Sequence, residues 1–271
     1  MDTQEKLKLL ESRLRALGSV AVAYSGGVDS TFLLAVAQRV LGPKALAVTA
    51  VSATYAAEER VEAQKVAQSL GVEHLLVETD ELADASFAAN PPQRCYHCKR
   101  ALAAKLKAVA AERGLTHVAI GTNADDTRDF RPGIRAAQEY GLLQPLLDVG
   151  LTKEEIRRLS REMGLPTWDR PAAACLASRF PYGEEITEEK LRQVELAEAF
   201  LHQLGFHHVR VRRHGNIARI EVEARNIGAL AEGRVREQIA ARLKALGFAY
   251  VTLDLEGYRV GSMNGMLSQT D

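Results

Sequence analysis

The sequence predicts an α/β fold in which a doubly wound, mostly parallel sheet is followed by a smaller C-terminal α+β domain. Short, almost continuously apolar segments alternate with helical patterns up to about residue 165, which is typical of a parallel sheet with helices on both faces. A glycine-rich turn, Ser25-Gly-Gly-Val-Asp-Ser30, joins the first apolar segment to a helix. After a long loop, 166–183, the pattern changes to one helix and alternating strands. We therefore expect two domains, 1–180 and 181–271.

Composition narrows the class of protein. The 271 residues include 35 basic and 35 acidic side chains, and this balance gives no overall field that favours a nucleic acid or an anionic membrane. No apolar stretch approaches the roughly 20 residues that span a bilayer. The polar residues 1–6 do not resemble a signal peptide, so we expect a cytoplasmic protein without nucleic-acid or membrane partners. Three cysteines favour metal binding or reactivity over disulfides in that compartment.

Hydrophobic periodicity predicts the elements of the first domain in order. Four leucines at helical spacing predict a helix over 4–17. The predicted strands that follow are 19–24, 45–51, 73–77 and 116–120, and the predicted helices begin at the glycine-rich turn and cover 58–70, 95–113 and 152–163. Gly71 and Gly114 are typical helix C-caps, and Thr152 with Glu155 has the spacing of a capping box.

The second domain has its own pattern. Apolar side chains on one face predict a helix over 188–204. Two alternating segments, 208–213 and 217–222, are joined by a His-Gly-Asn sequence that predicts a β-hairpin. A helical segment over 226–246 and a strand over 249–255 complete a small α+β unit.

The glycine-rich turn is typical of a phosphate-binding site. A strand-turn-helix junction directs backbone N–H groups and the positive end of the helix dipole to one point. Two adjacent glycines allow the backbone to approach an anion closely, two serines add hydroxyl donors, and the aspartate suits helix capping or Mg²⁺. No lysine stands where a Walker A loop requires one. The predicted ATP-binding residues of the turn are Ser25, Gly26, Gly27, Asp29 and Ser30.

A second polar segment, Gly121-Thr-Asn-Ala-Asp-Asp126, follows the fourth predicted strand. The carboxyl ends of parallel strands meet at one edge of a sheet, where ligands of such folds bind. We therefore expect Gly121 and Thr122 to lie at the same edge as the glycine-rich turn and to bind ATP. The alternative for Ser25–Ser30 is an ordinary serine- and glycine-rich turn between a strand and a helix.

The three cysteines admit several interpretations. Cys95 and Cys98 are three residues apart at the start of a predicted helix, so they share a face, and a helix N-terminus stabilises thiolates. Cys175 lies in the loop 166–183. Spacing leaves open a zinc site completed by a histidine such as His97, buried packing, a redox pair that omits Cys175, and an iron–sulfur cluster held by three thiolates.

Arg210 and Arg212 alternate along a predicted strand and therefore share one of its faces. Two planar guanidinium groups are suited to clamp a phosphate. The alternative is a solvated sheet face on which these arginines pair with Glu221 and Glu223 of the next strand.

Six motifs occur in a fixed order over nearly the whole chain. They are Ser25-Gly-Gly-Val-Asp-Ser30, Arg94-Cys-Tyr-His-Cys-Lys99, Gly121-Thr-Asn-Ala-Asp-Asp126, Arg131-Pro-Gly133, Cys175-Leu-Ala-Ser-Arg-Phe-Pro-Tyr-Gly183, and Gly257-Tyr-Arg259 with Gly261-Ser-Met-Asn264. The first resembles the PP-loop of the ATP pyrophosphatase superfamily, whose members cleave ATP between its α- and β-phosphates and pass AMP to an acceptor. The ordered set resembles the LarE family of ATP-dependent sulfur transferases within it.

The resemblance implies an activity. LarE proteins adenylate a carboxylate of pyridinium-3,5-biscarboxylic acid mononucleotide, release pyrophosphate and replace AMP with sulfur, a step in making the nickel-pincer nucleotide cofactor. It implies that Cys95, Cys98 and Cys175 are catalytic and hold a [4Fe-4S] cluster that carries a transferable sulfide. Other members give up the sulfur of the cysteine at the position of Cys175.

The resemblance also implies ligands and partners. Arg179, Arg210 and Arg212 would bind the phosphorylated pyridinium substrate, with Arg179 also suited to the phosphates of ATP. ATP, Mg²⁺ and a sulfide source would be required, and the chain would assemble as a homohexamer.

Other functions fit parts of the pattern. A tRNA thiolase of the same superfamily also combines a PP-loop with three cysteines, although the neutral charge disfavours RNA binding. An ammonia-using, AMP-forming synthetase would need no cysteines. An adenine-nucleotide-sensing or zinc-stabilised module would bind ATP without releasing AMP.

Overall fold

The computed structural model describes residues 1–128, 132–171 and 174–259. They form two compact units. The first unit contains Met1–Phe87 and the described residues of 93–171, and the second contains Ala88–Pro92 and the described residues of 174–259. The second unit therefore includes a five-residue segment from within the sequence of the first. Arg131 and the Gly261–Asn264 motif lie outside the described residues.

The first unit is the expected α/β structure. Its strands form one parallel sheet in the order β3-β2-β1-β4, which confirms the predicted fold class. The strands are β1 (Val20–Ala23), β2 (Ala45–Val51), β3 (Glu73–Glu78) and β4 (Val118–Ile120). The helices are α1 (Thr3–Leu17), α2 (Val28–Leu41), α3 (Ala57–Ser69), α4 (Ala85–Ala88), α5 (Arg94–Glu112), α6 (Pro132–Glu139), α7 (Pro145–Asp148) and α8 (Lys153–Glu162).

The central strand β1 is buried on both faces, as its apolar sequence predicts. Val20 and Val22 belong to one hydrophobic cluster, which includes buried side chains of α1, α2 and α8. Ala21, between them, belongs to a second cluster with side chains of α5 and β4. Successive strand residues point to opposite faces, so β1 joins two cores. This double burial fixes the end of β1, where the glycine-rich turn begins.

The second unit contains a three-stranded sheet of order β5-β6-β7. Its elements are α9 (Glu188–Gln203), β5 (Val209–His214), β6 (Ile217–Val222), α10 (Ile227–Ala231), α11 (Gly233–Ala245) and β7 (Tyr250–Leu253). β5 and β6 pair antiparallel as the predicted hairpin, whereas β7 pairs parallel with β6. Buried valines of β5 and β6 provide the core face of this sheet.

Some local predictions were wrong. The predicted helix over 226–246 is divided at Glu232, whose backbone is extended (ψ 139°), so that α11 begins anew at Gly233. The predicted loop 166–183 contains a short 3₁₀ helix, Leu176–Arg179. The short helices α4, α6 and α7 were not predicted. In the described part of the chain, no helix combines the length and hydrophobicity that crossing a bilayer requires.

Glu155 connects α1 to the start of α8. Its carboxylate completes the predicted capping box with Thr152, which is confirmed, and accepts two hydrogen bonds from the Lys6 ammonium at 2.8 and 2.9 Å. Thr3 donates a further bond of 2.9 Å. Burial alone would raise the pKa of Glu155, but the bonds from Lys6, the Thr152 amide and Thr3 lower it to about 2. The ionised carboxylate therefore holds two helices together.

This network predicts a pH-dependent contribution to folding. Because the pKa of Glu155 lies below its ordinary value of 4.5, the stabilisation is fully present above pH 4.5 and is lost as the pH falls toward 2. We expect Glu155→Gln to lower the free energy of unfolding by about 2 kcal/mol at pH 7 and by about half of that or less at pH 3. Urea titrations at both pH values measure the difference. Glu154→Gln, on the exposed neighbour, is the control and should change stability little at either pH. An equal effect of Glu155→Gln at both pH values would contradict the assignment.

Candidate active site

The glycine-rich turn occupies the carboxyl end of β1. Gly26 has a φ of +70°, in the left-handed region, and a Cβ there would lie 2.8 Å from the Cβ of Ala63 on α3. Gly27 is the N-cap residue of α2, so no side chain at that position covers the first N–H groups of the helix. The turn thus combines a close approach to α3 with a helix N-terminus that favours an anion.

Side chains hold the carbonyl groups of this turn. Ser30 Oγ accepts from the Ser25 amide at 3.2 Å and donates to the Gly27 carbonyl at 3.3 Å. The Tyr55 hydroxyl donates to the Ser25 carbonyl at 3.0 Å, and Arg170 Nη1 donates to the Gly26 carbonyl at 3.1 Å. Burial, with a smaller contribution from the Glu59 carboxylate, raises the pKa of Tyr55 well above its usual range, so the hydroxyl stays protonated as a donor. Three consecutive carbonyls are therefore bound by side chains.

The segment after β4 meets the same turn. A Cβ at Gly121 would lie 2.9 Å from the Ser30 amide nitrogen, so this position requires glycine for steric reasons. Thr122 and Asn123 follow it and are buried. The backbone N–H of Asn123 donates to Asp126 Oδ2 at 3.0 Å, and this bond closes the polar turn. The predicted meeting of the two segments at one sheet edge is seen in the structure, whereas contact of these residues with ATP stays a prediction.

Asp29 lies in the first turn of α2 and pairs with a lysine that the sequence analysis missed. Lys153 Nζ donates to Asp29 Oδ2 at 2.7 Å, from the first residue of α8. Oδ1 is buried and has no hydrogen-bond partner of ordinary geometry among the described residues. Burial raises the pKa of Asp29, and the nearby Asp126 carboxylate raises it further. The Lys153 ammonium and the side-chain amide of Asn123 lower this pKa, but the net shift is upward. No sequence spacing indicates a contact between residues 29 and 153.

Two of the predicted cysteine ligands lie at the start of α5. Cys95 is exposed and Cys98 is half-buried, and neither forms a disulfide. His97 Nδ1 lies 4.0 Å from Asp84 Oδ2, and that carboxylate pairs with Arg100 at 2.9 Å. Within the described ranges, no group of three His, Cys, Asp or Glu side chains is assembled to hold a metal ion. The zinc and cluster interpretations both stay predictions.

Cys175 precedes the 3₁₀ helix Leu176–Arg179 in the second unit and is exposed. Arg179, by contrast, is buried and forms a bidentate pair with Glu198 of α9, with N–O distances of 3.0 and 2.8 Å. Its Nη1 donates to the carbonyls of Ala174 and Cys175, the latter at 3.0 Å. Burial alone would raise the pKa of Glu198, but Arg179 lowers it, so the pair is ionic. Arg179 therefore binds the backbone that presents the thiol.

Arg212 binds the same turn. It donates to the Ser178 carbonyl at 3.0 Å and pairs through Nε and Nη2 with one oxygen of Glu221, at 3.0 and 2.8 Å. Glu221 is fully buried and also accepts from Arg219 at 2.9 Å. The pairing with Glu221 that the sequence offers as an alternative to phosphate binding is present, but the pair is buried and does not lie on a solvated face.

Arg210 has different surroundings. Its guanidinium carbon lies 5.5 Å from the centre of the Tyr258 ring, and Nη1 donates to the Val209 carbonyl at 2.8 Å. The side chain is half-buried. Substrate binding by Arg179, Arg210 and Arg212 stays a prediction.

The close approach at Gly121 gives a testable prediction. In Gly121→Ala the new Cβ must displace the backbone of Ser30, so we expect a loss of about 2 kcal/mol in unfolding free energy and weaker ATP binding by about tenfold or more. Gly228→Ala, where a Cβ would meet no atom within 4 Å, is the matched control and should keep wild-type ATP binding. Calorimetric titration with ATP and thermal unfolding measure both variants. Wild-type affinity in Gly121→Ala would disprove the steric requirement.

The Arg179–Glu198 pair gives another. Arg179→Met leaves a buried carboxylate unpaired and should cost about 3 kcal/mol, whereas Arg179→Met with Glu198→Met should recover part of that loss. Hydrogen exchange at residues 174–179 should accelerate in both variants because the Ala174 and Cys175 carbonyls lose their donor. Arg192→Met, which removes an exposed arginine that pairs with Glu195 on the same helix, is the control and should change neither quantity. Unchanged hydrogen exchange in both Arg179 variants would contradict the proposal that Arg179 orders residues 174–179.

Known proteins are similar to this chain in the part that forms the glycine-rich turn. Residues 8–127 match the asparagine synthase family model, which covers the turn and the segment after β4. A protein of Synechocystis sp. named only as uncharacterized is 46% identical over 98% of this chain and 99% of its own. The pyridinium-3,5-bisthiocarboxylic acid mononucleotide synthase of Lactiplantibacillus plantarum is 38% identical over 97% of this chain and 95% of its own.

More distant similarity covers less of the chain. A tRNA-specific 2-thiouridylase of Rickettsia felis is 27% identical over 56% of this chain and 52% of its own. The similarity to the L. plantarum synthase covers 97% of the chain and therefore both units, whereas the similarity to the thiouridylase covers 56%. On that similarity, and on the PP-loop at the end of β1, the chain belongs to the LarE family of PP-loop proteins.

Proposed function

We propose that this protein is an ATP-dependent sulfur transferase that acts on pyridinium-3,5-biscarboxylic acid mononucleotide and yields the bisthiocarboxylic acid. The observation that carries the proposal is the similarity to the L. plantarum synthase over 97% of the chain, through both units. The product of that reaction would serve nickel-pincer nucleotide biosynthesis, in the cytoplasm.

The reaction needs activation because a carboxylate oxygen is a poor leaving group. A carboxylate oxygen of the substrate attacks the α-phosphorus of ATP, and the bond to the β-phosphate oxygen breaks, so pyrophosphate leaves. The N–H groups at the start of α2 and the hydroxyls of Ser25 and Ser30 are suited to take up the negative charge of that pyrophosphate. A sulfur nucleophile then attacks the acyl carbon, and AMP leaves with the electron pair of the acyl–oxygen bond.

Asp29 fits the Mg²⁺ that accompanies ATP. Its buried Oδ1 lacks a hydrogen-bond partner of ordinary geometry among the described residues, and a carboxylate oxygen is a preferred magnesium ligand. When bound, the ion would neutralise charge on the phosphates. Asp29 would hold it, with Ser25, Gly26, Gly27, Ser30, Gly121 and Thr122 as the other proposed residues of the ATP site.

We propose that Cys95, Cys98 and Cys175 are the sulfur-handling residues and the ligands of a [4Fe-4S] cluster. Three thiols without disulfides supply the donor chemistry that such a cluster requires. A bound cluster would supply an iron-held sulfide, replenished by an external sulfide source. The exposed thiol of Cys175 also suits the other family mechanism, in which this cysteine gives up its own sulfur.

For the substrate we propose complementary roles for the three arginines. Arg210 would bind the phosphate, a role supported by its half-buried guanidinium beside the Tyr258 ring. Arg179 and Arg212 already bind carboxylates and turn carbonyls, so they would serve the substrate by ordering the turn that follows Cys175. The proposed assembly is a homohexamer, which light scattering of the purified protein tests.

One experiment tests the chemistry. The protein is purified without oxygen, and iron, zinc and acid-labile sulfide are measured per chain. We expect about four iron atoms, labile sulfide and repeated turnover when the pyridinium dicarboxylate, Mg²⁺–ATP and sulfide are supplied. One zinc per chain without labile sulfide would exclude the cluster, and loss of one sulfur from Cys175 in the mass spectrum after a single turnover would establish the sacrificial mechanism.

Two further measurements on the purified protein distinguish the alternative functions. Co-purified tRNA whose binding falls steeply with salt would favour a tRNA thiolase. Full activity with ammonia in a Cys95→Ala, Cys175→Ala variant would favour an AMP-forming synthetase.

The iron measurement has its own control. Tyr96→Phe changes a side chain between Cys95 and Cys98 but leaves the three thiols, so it should keep the wild-type iron content.

A further inference from the structure

The PP-loop lacks the lysine that a Walker A loop uses, yet a lysine reaches it from elsewhere in the chain. Lys153 Nζ lies 2.7 Å from Asp29 Oδ2, although 124 positions separate the two residues. Both side chains are mainly buried, with 31% of Lys153 and 21% of Asp29 exposed. The contact therefore lies in a partly enclosed part of the proposed ATP site.

The backbone of Lys153 is fixed independently of this contact. Its amide donates to Asp125 Oδ2 at 2.8 Å, in the polar turn after β4. The preceding Thr152 caps α8 through Glu155, which Lys6 binds from α1. The stem of Lys153 thus begins at a rigid point, while its four methylene groups leave the ammonium free to pivot.

The charges at this point change when nucleotide enters. Without ligand, a mainly buried carboxylate needs a cation, and Lys153 supplies it. Metal-bound ATP brings both a divalent cation that prefers carboxylate oxygen and several negative phosphate oxygens. Asp29 can then neutralise the metal, and the lysine ammonium is attracted to the phosphates.

We propose that Lys153 is a nucleotide-binding residue that occupies Asp29 while the site is empty and moves its ammonium to the β- and γ-phosphates when metal-bound ATP enters. It would replace, from the start of α8, the lysine that the loop itself lacks. This inference depends on the use of ATP and not on the identity of the acceptor.

The proposal predicts opposite effects of one substitution on two ligands. In Lys153→Met, binding of inorganic pyrophosphate with Mg²⁺ should weaken by about tenfold or more, because a phosphate-binding charge is lost. Binding of Mn²⁺ alone should instead tighten, because the cation that competes for Asp29 is gone. Titration calorimetry measures the first and electron paramagnetic resonance of free Mn²⁺ the second, both on the full chain.

Controls keep the test decisive. Lys44→Met removes an exposed lysine just before β2, at the opposite end of the parallel sheet, and should change neither affinity. Lys153→Arg should recover part of the pyrophosphate affinity. Because Lys153→Met leaves Asp29 without its counter-ion, Mg²⁺ should also raise its melting temperature more than that of the wild type. A parallel loss of both affinities would show a merely structural role, and no change in either would show no role; each result overturns the proposal.

Discussion

The site depends on two places where one segment packs so closely against another that a Cβ cannot fit. Gly26 passes over Ala63 of α3, and Gly121 passes over the amide of Ser30 in α2. These contacts bring the ends of β1 and β4 and the start of α2 to one point. A side chain at either glycine would require the two segments to lie farther apart. The hydrogen bonds of the turn oppose such a displacement. Close packing of backbone therefore comes first, and the polar chemistry is arranged around it.

Charge is then distributed over that packed frame in two networks. In the first unit, Glu155 ties α1 to α8, and α8 begins with the lysine that reaches Asp29. In the second, two buried arginine–glutamate pairs hold the carbonyls around the turn after Cys175. Buried ion pairs contribute little net stability, but an unpaired member is costly. Such pairs therefore fix geometry, which suits a site that must present a few groups in a defined orientation.

The sequence predicted the parts that depend on local pattern. Strand and helix bounds follow from hydrophobic periodicity and capping residues, so β2 and the capping box of α8 were predicted correctly. The PP-loop was predicted because its glycines and serines are contiguous. The break at Glu232 was missed because the residues on both sides have helical periodicity. The break results from the extended backbone of Glu232, which its side chain does not indicate.

Side-chain pairing between distant elements was the part that sequence could not predict. Lys153 and Asp29, or Arg179 and Glu198, are brought together by the fold, and neither pair has a spacing that marks it. Arg212 illustrates the difficulty: strand alternation correctly put it on the face of Arg210, but the same pattern fits both a phosphate clamp and pairing with Glu221 on a solvated sheet face. The pair with Glu221 is present but buried, and burial could not be predicted because it is a property of the whole fold.

The two alternatives for Arg212 also differ in what they require of Cys175. A phosphate clamp would leave the turn that bears the thiol to be ordered by substrate, whereas arginines bound to its carbonyls order it beforehand. An exposed thiol on a preordered turn loses less conformational freedom when it binds a metal centre or reacts with an acyl adenylate. In the proposed sulfur transfer, the buried pairs would help by either route, whether the sulfur is held on iron or comes from the cysteine itself, because each route needs the same group held at the surface.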